Sequence, residues 1–310
     1  LVGGALAVAA SFLVLLLVSP ARLERLAEAR LPLAPSPGAL RLPLSLFSFL
    51  VLAVLVAAGF LGSRDPLSNP LPLTVWTLLW VGLTYTIFTG FTDRQNQPSV
   101  DKGISGAWLL AVVATQAIAV LSALLAAHVG QPTKLEMNFL ALSMWLWGGM
   151  LYIWMMSLIF YRYTFFPLSP SDLSPPYWIN MGAMAISTLA GSLLIINVSD
   201  APYLNSLLPF IKGFTVFYWA TGTWWIPMLV ILGIWRHLYK RFPLKYDPLY
   251  WGAVFPLGMY SVSTHRMSEA MGFHFLEFLP PTFLYIALTA WLAAFMGLAF
   301  DLARRGKTLG

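Results

Sequence analysis

The sequence predicts an all-α polytopic membrane protein of about nine transmembrane helices. Three observations carry this. The 310 residues are 59% hydrophobic and only 10% charged, against about 25% charged in an ordinary soluble domain. The apolar residues gather into runs near 20 residues, the length that crosses a bilayer core. No Asp, Glu, Lys, Arg or His sits in the middle of such a run, as expected where a central charge costs several kcal/mol. The runs are continuous rather than alternating, so they are helices and not barrel strands.

The runs fall at 1–19, 43–62, 71–91, 105–128, 138–163, 176–197, 209–235, 248–264 and 280–302. The loops between them are too short for a soluble domain. The longest, from Pro20 to Leu42, carries Pro32, Pro35 and Pro37, which argues against one continuous helix there. Leu1 lies directly inside an apolar run, which suggests that a segment precedes it or that the first span is trimmed. The chain has no cysteine, so disulfides, thiolate metal sites and Cys nucleophiles are excluded.

The net charge of +6 reads as topology. The loops after odd-numbered spans and the C-terminal tail hold 14 of the 18 Lys and Arg residues, among them Arg94, Lys102, Arg162, Arg236, Lys240, Arg241, Lys245 and Lys307. The positive-inside rule then places those loops and the C-terminus in the cytoplasm, with residue 1 outside. The charges are spread over five regions and make no single patch, so nucleic acid is not an expected partner.

Three spans open alike. One reads Gly103-Ile-Ser-Gly-Ala-Trp108, the next Ser174-Pro-Pro-Tyr-Trp178, the third Asp247-Pro-Leu-Tyr-Trp251. Pro suits a helix start because its missing N–H would be unpaired there. Trp suits the membrane interface. Asp247 before Pro248 reads as a helix cap. Each span then continues with small residues and hydroxyls, whereas the intervening spans, Trp145 to Tyr163 and Phe217 to Trp235, are bulky and aromatic. Slim and bulky helices that alternate in hairpins can be arranged around a central pore, slim ones inside. The competing reading is that the small residues merely let helices pack closely.

The stretch SPPYWINMGAMAISTLAG, Ser174 to Gly191, resembles the tellurite-resistance/C4-dicarboxylate transporter family, which includes the plant slow-type anion channels. Four further segments resemble it too: Gly103–Leu121, Leu146–Arg162, Thr223–His237 and Tyr246–Thr264. The motif match covers about residues 100–303. The resemblance implies five hairpins around a pore, homotrimers, a bacterial inner (plasma) membrane, and small inorganic or organic anions as cargo, with no cofactor. It also implies a pore-plugging Phe on the ninth helix, here Phe255 in Val-Phe-Pro-Leu-Gly.

The chain departs from that pattern with nine spans rather than ten, as expected if the family's first helix is absent. A missing inner helix would open a gap in the pore wall. Residues 1–95 form an atypical N-terminal membrane segment of three spans, and 96–310 the family-like domain of six. Within the former, Gly62–Leu83 looks more like a group of multispanning proteins some of which are described as organophosphate hydrolases. The alternatives to anion transport are therefore a membrane-embedded hydrolase or a non-conducting assembly protein. No GxSxG, HExxH or intramembrane carboxylate pair supports the hydrolase.

An uncharged pore can attract anions through hydroxyls, backbone and helix ends, weakly enough to release them. The pore-lining candidates are Val112, Thr115, Gly182, Ser187, Gly258 and Ser261, with Phe255 as gate. Val112, Gly182 and Phe255 each lie four residues past the shared Trp, so they can share one layer. Pro256 removes a backbone hydrogen bond and can kink its helix toward the axis. Each Ser or Thr taken alone more often bonds its own helix backbone. His265, His274, Glu269 and Glu277 share one loop, but their spacing fits no tight metal signature.

Overall fold

A computed structural model describes residues 71–93 and 98–308. The expected spans 1–19 and 43–62 lie outside the described residues. The chain divides into two compact units, Leu1–Trp76 and Thr77–Gly310. The second unit contains all the helical hairpins of the described residues.

Helix α1 is Leu71–Thr92, and α2 is a single turn at Val100–Gly103. Three hairpins come after them. The first pairs α3 (Leu110–Ala126) with α4 (Thr133–Phe165). The second pairs α5 (Ile179–Ile196) with α6 (Pro202–Ile234). The third pairs α7 (Trp251–Met271) with α8 (Leu279–Thr308). Six of the described helical segments are long and apolar enough to cross a membrane. The expected span 248–264 is helical but is not one of them. Pro, Gly, Ser, Thr, Trp and Tyr within the span itself keep its hydropathy low, and its helix runs on past Thr264 to Met271.

The three like-opening segments adopt one local structure. Each slim helix begins with a 3-10 turn: Gly106–Leu109 before α3, Pro175–Trp178 before α5, and Pro248–Tyr250 before α7. Asp247 caps the last by accepting a hydrogen bond from the Leu249 N–H at 2.8 Å. The turns gather at one end of the bundle. A β-carbon on Gly106 would lie 2.6 Å from the Pro176 carbonyl oxygen, so only glycine allows that approach.

Slim helices form the interior and bulky ones the outside. Helix α5 packs between α3 and α7 and also meets α4 and α6. Every residue from Ile179 to Ile195 is buried. Large exposed side chains cluster instead on α1, α4, α6 and α8, including Trp154, Phe160, Trp224, Ile231, Tyr285 and Phe300. That distribution suits lipid-facing surfaces, because lipid sets no penalty on apolar exposure.

Polar side chains tie the helices where hydrocarbon leaves no other partner. Trp145 of α4 donates its indole N–H to the Ser187 carbonyl at 2.9 Å, and Gln116 of α3 donates to the Trp145 carbonyl at 3.0 Å. Asn197, just past α5, donates to the Ala123 carbonyl at 2.8 Å and to Asn138 Oδ1 at 2.9 Å. Trp145 also sets its ring edge-on against Tyr218 of α6, 5.5 Å between centroids, a favoured geometry.

Candidate functional site

The seven candidates occupy the three slim helices. Val112 and Thr115 lie on α3 and are fully buried. The Thr115 hydroxyl donates to the Ala111 carbonyl at 2.8 Å and accepts from the Trp80 indole at 2.9 Å. Ser187 on α5 is fully buried and donates to the Ala183 carbonyl at 2.8 Å. Both hydroxyls therefore satisfy themselves on their own helix, the reading that sequence favoured for each taken singly.

Gly182, on α5, faces α7 at Pro256. Phe255, one residue before that contact, is half-buried and packs against the hydrophobic core. Gly258, one turn on, is also half-buried, with Ala287 of α8 nearest to it. Ser261 differs from the other hydroxyls. It is buried and donates across to the Pro280 carbonyl at the start of α8, at 2.6 Å. The structure thus brings Gly182 and the Phe255–Pro256 step together, while Gly258 and Ser261 turn toward α8.

Next to Ser261 on α7 lies a hydroxyl network that the candidates did not include. Tyr260 and Thr223 of α6 share a hydrogen bond of 2.8 Å, and Thr264 accepts from the Trp219 indole at 3.0 Å. These groups cross-link α6 and α7. Their sequence signal is a Trp four residues before a Thr on a bulky helix, which is weak alone.

Comparison with known proteins adds the family. The sequence model of SLAC1, the voltage-dependent anion channels, matches residues 1–299. The chain belongs to this family. An uncharacterised membrane protein of Mycobacterium tuberculosis is 40% identical over 153 residues, 49% of this chain and 77% of that protein. Two uncharacterised transporters of Methanocaldococcus jannaschii are also similar. One is 29% identical over 48% of this chain and 42% of its own length. The other is 25% identical over 66% of this chain and 57% of its own length. No solved structure matches the chain. The family match takes in the first 95 residues, which the motifs alone leave out.

In this SLAC1-family chain, the end where the 3-10 turns meet is also its polar end. Arg162, at the end of α4, is only 5% exposed. It donates through Nε to the Asp101 carbonyl at 2.8 Å and through a terminal nitrogen to the Tyr177 hydroxyl at 3.2 Å, and it pairs with Asp172 at 3.5 Å. A buried guanidinium needs such partners. Burial alone would raise the Asp172 carboxyl. Hydrogen bonds from the Ser169 N–H and hydroxyl, together with the Arg162 charge, outweigh it, and the net shift is downward. Arg236, at the matching end of α6, donates to the Leu173 carbonyl and lies 4.4 Å from the Phe242 ring centroid. The two arginines clamp the connection between α4 and α5 from both sides. The sequence assigns both to the cytoplasmic ends of bulky helices, but carries no signal for the backbone carbonyls that they hold.

At the other end, His274 pairs with Glu277 at 2.7 Å and Arg266 with Glu269 at 2.6 Å. Among the described residues no group of three His, Asp or Glu side chains is placed to hold a metal.

Proposed function

We propose that this chain carries small inorganic or organic anions passively across a bacterial inner membrane, as a homotrimer, through a pore in each subunit that Phe255 constricts. The single observation that carries the reading is the SLAC1-family match along nearly the whole chain. The three slim helices α3, α5 and α7 support it. Between Leu110 and Thr264 their spans hold no ionisable Asp, Glu, Lys, Arg or His, so an anion there meets no proton donor near neutral pH. The Thr115, Ser187 and Ser261 hydroxyls would have to turn from their carbonyls to solvate it. Phe255 is half-buried beside the kink-prone Pro256, a position from which its ring can turn into or out of a passage.

The basic bias of the loops supports a cytoplasmic side for the polar end and the C-terminus. Dicarboxylates and tellurite fall within the anion class that such a pore would accept.

The test is anion flux into liposomes containing the purified protein. Wild type is expected to dissipate an anion gradient, and Phe255→Ala to raise the flux several-fold by removing the ring. Absent flux in a folded protein overturns the transport reading. Unchanged flux in a folded Phe255→Ala variant removes the gate alone.

A further inference from the structure

We propose that a cavity beside the C-terminal turn of α6 binds an anionic phospholipid, its phosphate on Arg236 and an acyl segment against the apolar wall. The site is separate from the proposed pore and does not depend on it.

The cavity measures about 250 Å³ and opens between the start of α5, the end of α6 and the start of α7. Its wall is mostly apolar: Pro175, Trp178, Leu229, Leu232 and Ala253 contribute. Arg236 and His237 supply its basic groups, with no carboxylate among the lining residues. An apolar pocket with one or two placed polar groups is the usual form of a small-molecule site. A wall of this kind with a guanidinium at one side fits an anion that carries hydrocarbon.

Local backbone geometry puts the arginine there. Helix α6 ends in a π turn over Trp235–Tyr239. Such turns rotate side chains out of the regular helical register and recur at functional sites. The Lys240 N–H closes the turn on the Trp235 carbonyl at 2.8 Å. Arg236 spends one terminal nitrogen on the Leu173 carbonyl, while its Nε is buried without a partner. A guanidinium donates five hydrogens, and a phosphate accepts them in pairs. His237, which also lines the cavity, has its Nδ1 3.0 Å from the Phe242 carbonyl.

The surroundings of the cavity point independently to a lipid source. Leu238, Tyr239 and Leu244 are 72%, 75% and 76% exposed. They are interspersed with exposed Lys240, Arg241 and Lys245. Bulky apolar and basic side chains mixed at a helix end are the signature of an interfacial segment on an acidic leaflet.

The experiment uses the full chain in nanodiscs and native mass spectrometry to count bound lipid, with phosphatidylglycerol against phosphatidylcholine. Wild type is expected to retain phosphatidylglycerol at least about tenfold more than phosphatidylcholine. Arg236→Gln should abolish most of that preference. Because Arg236 also holds Leu173, a second variant leaves it in place. Gly233 lines the cavity and a β-carbon on it meets nothing within 4 Å, so Gly233→Leu starts its added bulk in open space there, and it should lower retention similarly. A Lys212→Gln control in the N-terminal third of α6 should keep the preference. Inorganic phosphate at millimolar concentration forms the last arm. Displacement of lipid by phosphate alone would identify a free-anion site and overturn the lipid assignment. Equal retention of the two lipids, or wild-type preference in both cavity variants, would overturn the proposal.

Discussion

Gly182 of α5 lies so close to Pro256 of α7 that a β-carbon on the glycine would stand 2.8 Å from the proline Cγ and 2.9 Å from its Cβ. The slim helices meet here, one residue from Phe255. Overpacking a tight contact costs about 1–3 kcal/mol. Gly182→Ala is therefore expected to lower thermal stability in detergent by that order. Gly258→Ala should be nearly neutral, since its new methyl would come no nearer than 3.9 Å to Ala287 Cβ. Equal melting temperatures for the two variants would count against a tight α5–α7 contact.

Gly106 makes a harsher test, because its new β-carbon would meet backbone rather than a side chain. The nearest atoms are the Pro176 carbonyl oxygen and the Tyr177 Cα, both at 2.6 Å. Neither can rotate aside. Gly106→Ala should destabilise more than Gly182→Ala, and Gly130→Ala, where the space is open, should not. Melting curves of the three variants rank them, and any other order would sink the packing account of the 3-10 turns.

Arg162 holds three partners at the polar end. Arg162→Met keeps the bulk but leaves the Tyr177 hydroxyl and the Asp101 carbonyl unpaired, at a cost of about 2–4 kcal/mol. Denaturation by sodium dodecyl sulfate reads this. A loss below about 1 kcal/mol would show that the clamp is weak.

The same clamp gives a pH dependence. The Asp172 carboxyl is held below its ordinary value of 3.8 in the folded state. Its contribution is then fully present above 3.8 and is lost as pH falls through the lower folded value. Asp172→Asn should be less stable than wild type at neutral pH. The gap should close as pH drops below 3.8, since the wild-type side chain becomes neutral too. A gap that persists at low pH would assign the effect to packing instead.

Passive transport makes a separate electrical prediction. With an anion gradient fixed, the reversal potential should not move with external pH, because the slim helices hold no Asp, Glu, Lys, Arg or His between Leu110 and Thr264. Recordings at three pH values suffice. A drift toward the proton equilibrium would require a coupled proton and a titrating side chain in the pathway.

Much of the fold was legible because its signals are local. Pro at Pro175, Pro176 and Pro248 and the following Trp marked the helix openings, and each became a 3-10 turn. Asp247 was legible as a cap for the same reason. Helix ends were less so: α6 begins at Pro202 and tolerates Pro209 and Pro227 inside it, which sequence rules treat as breaks. The central place of α5 was not legible. Small residues also fill α3 and α7, and only the packing of neighbours decides which slim helix is enclosed. The clamp of Arg162 and Arg236 was hidden likewise, since its acceptors are the backbone carbonyls of Asp101 and Leu173, and a carbonyl leaves no trace in a side-chain pattern.

The enclosed position of α5 also bears on how the protein is made. Helix α5 is synthesised before α6 and α7, so for a time it must rest in the bilayer without half of its eventual cover. Its three hydroxyls are already occupied: Ser187, Thr188 and Ser192 donate to the carbonyls of Ala183, Met184 and Thr188 at 2.8–2.9 Å. None of these bonds waits on a neighbour. The helix can thus leave the insertion machinery with its hydroxyl polarity masked, and α6 and α7 later close over a surface that lipid had tolerated.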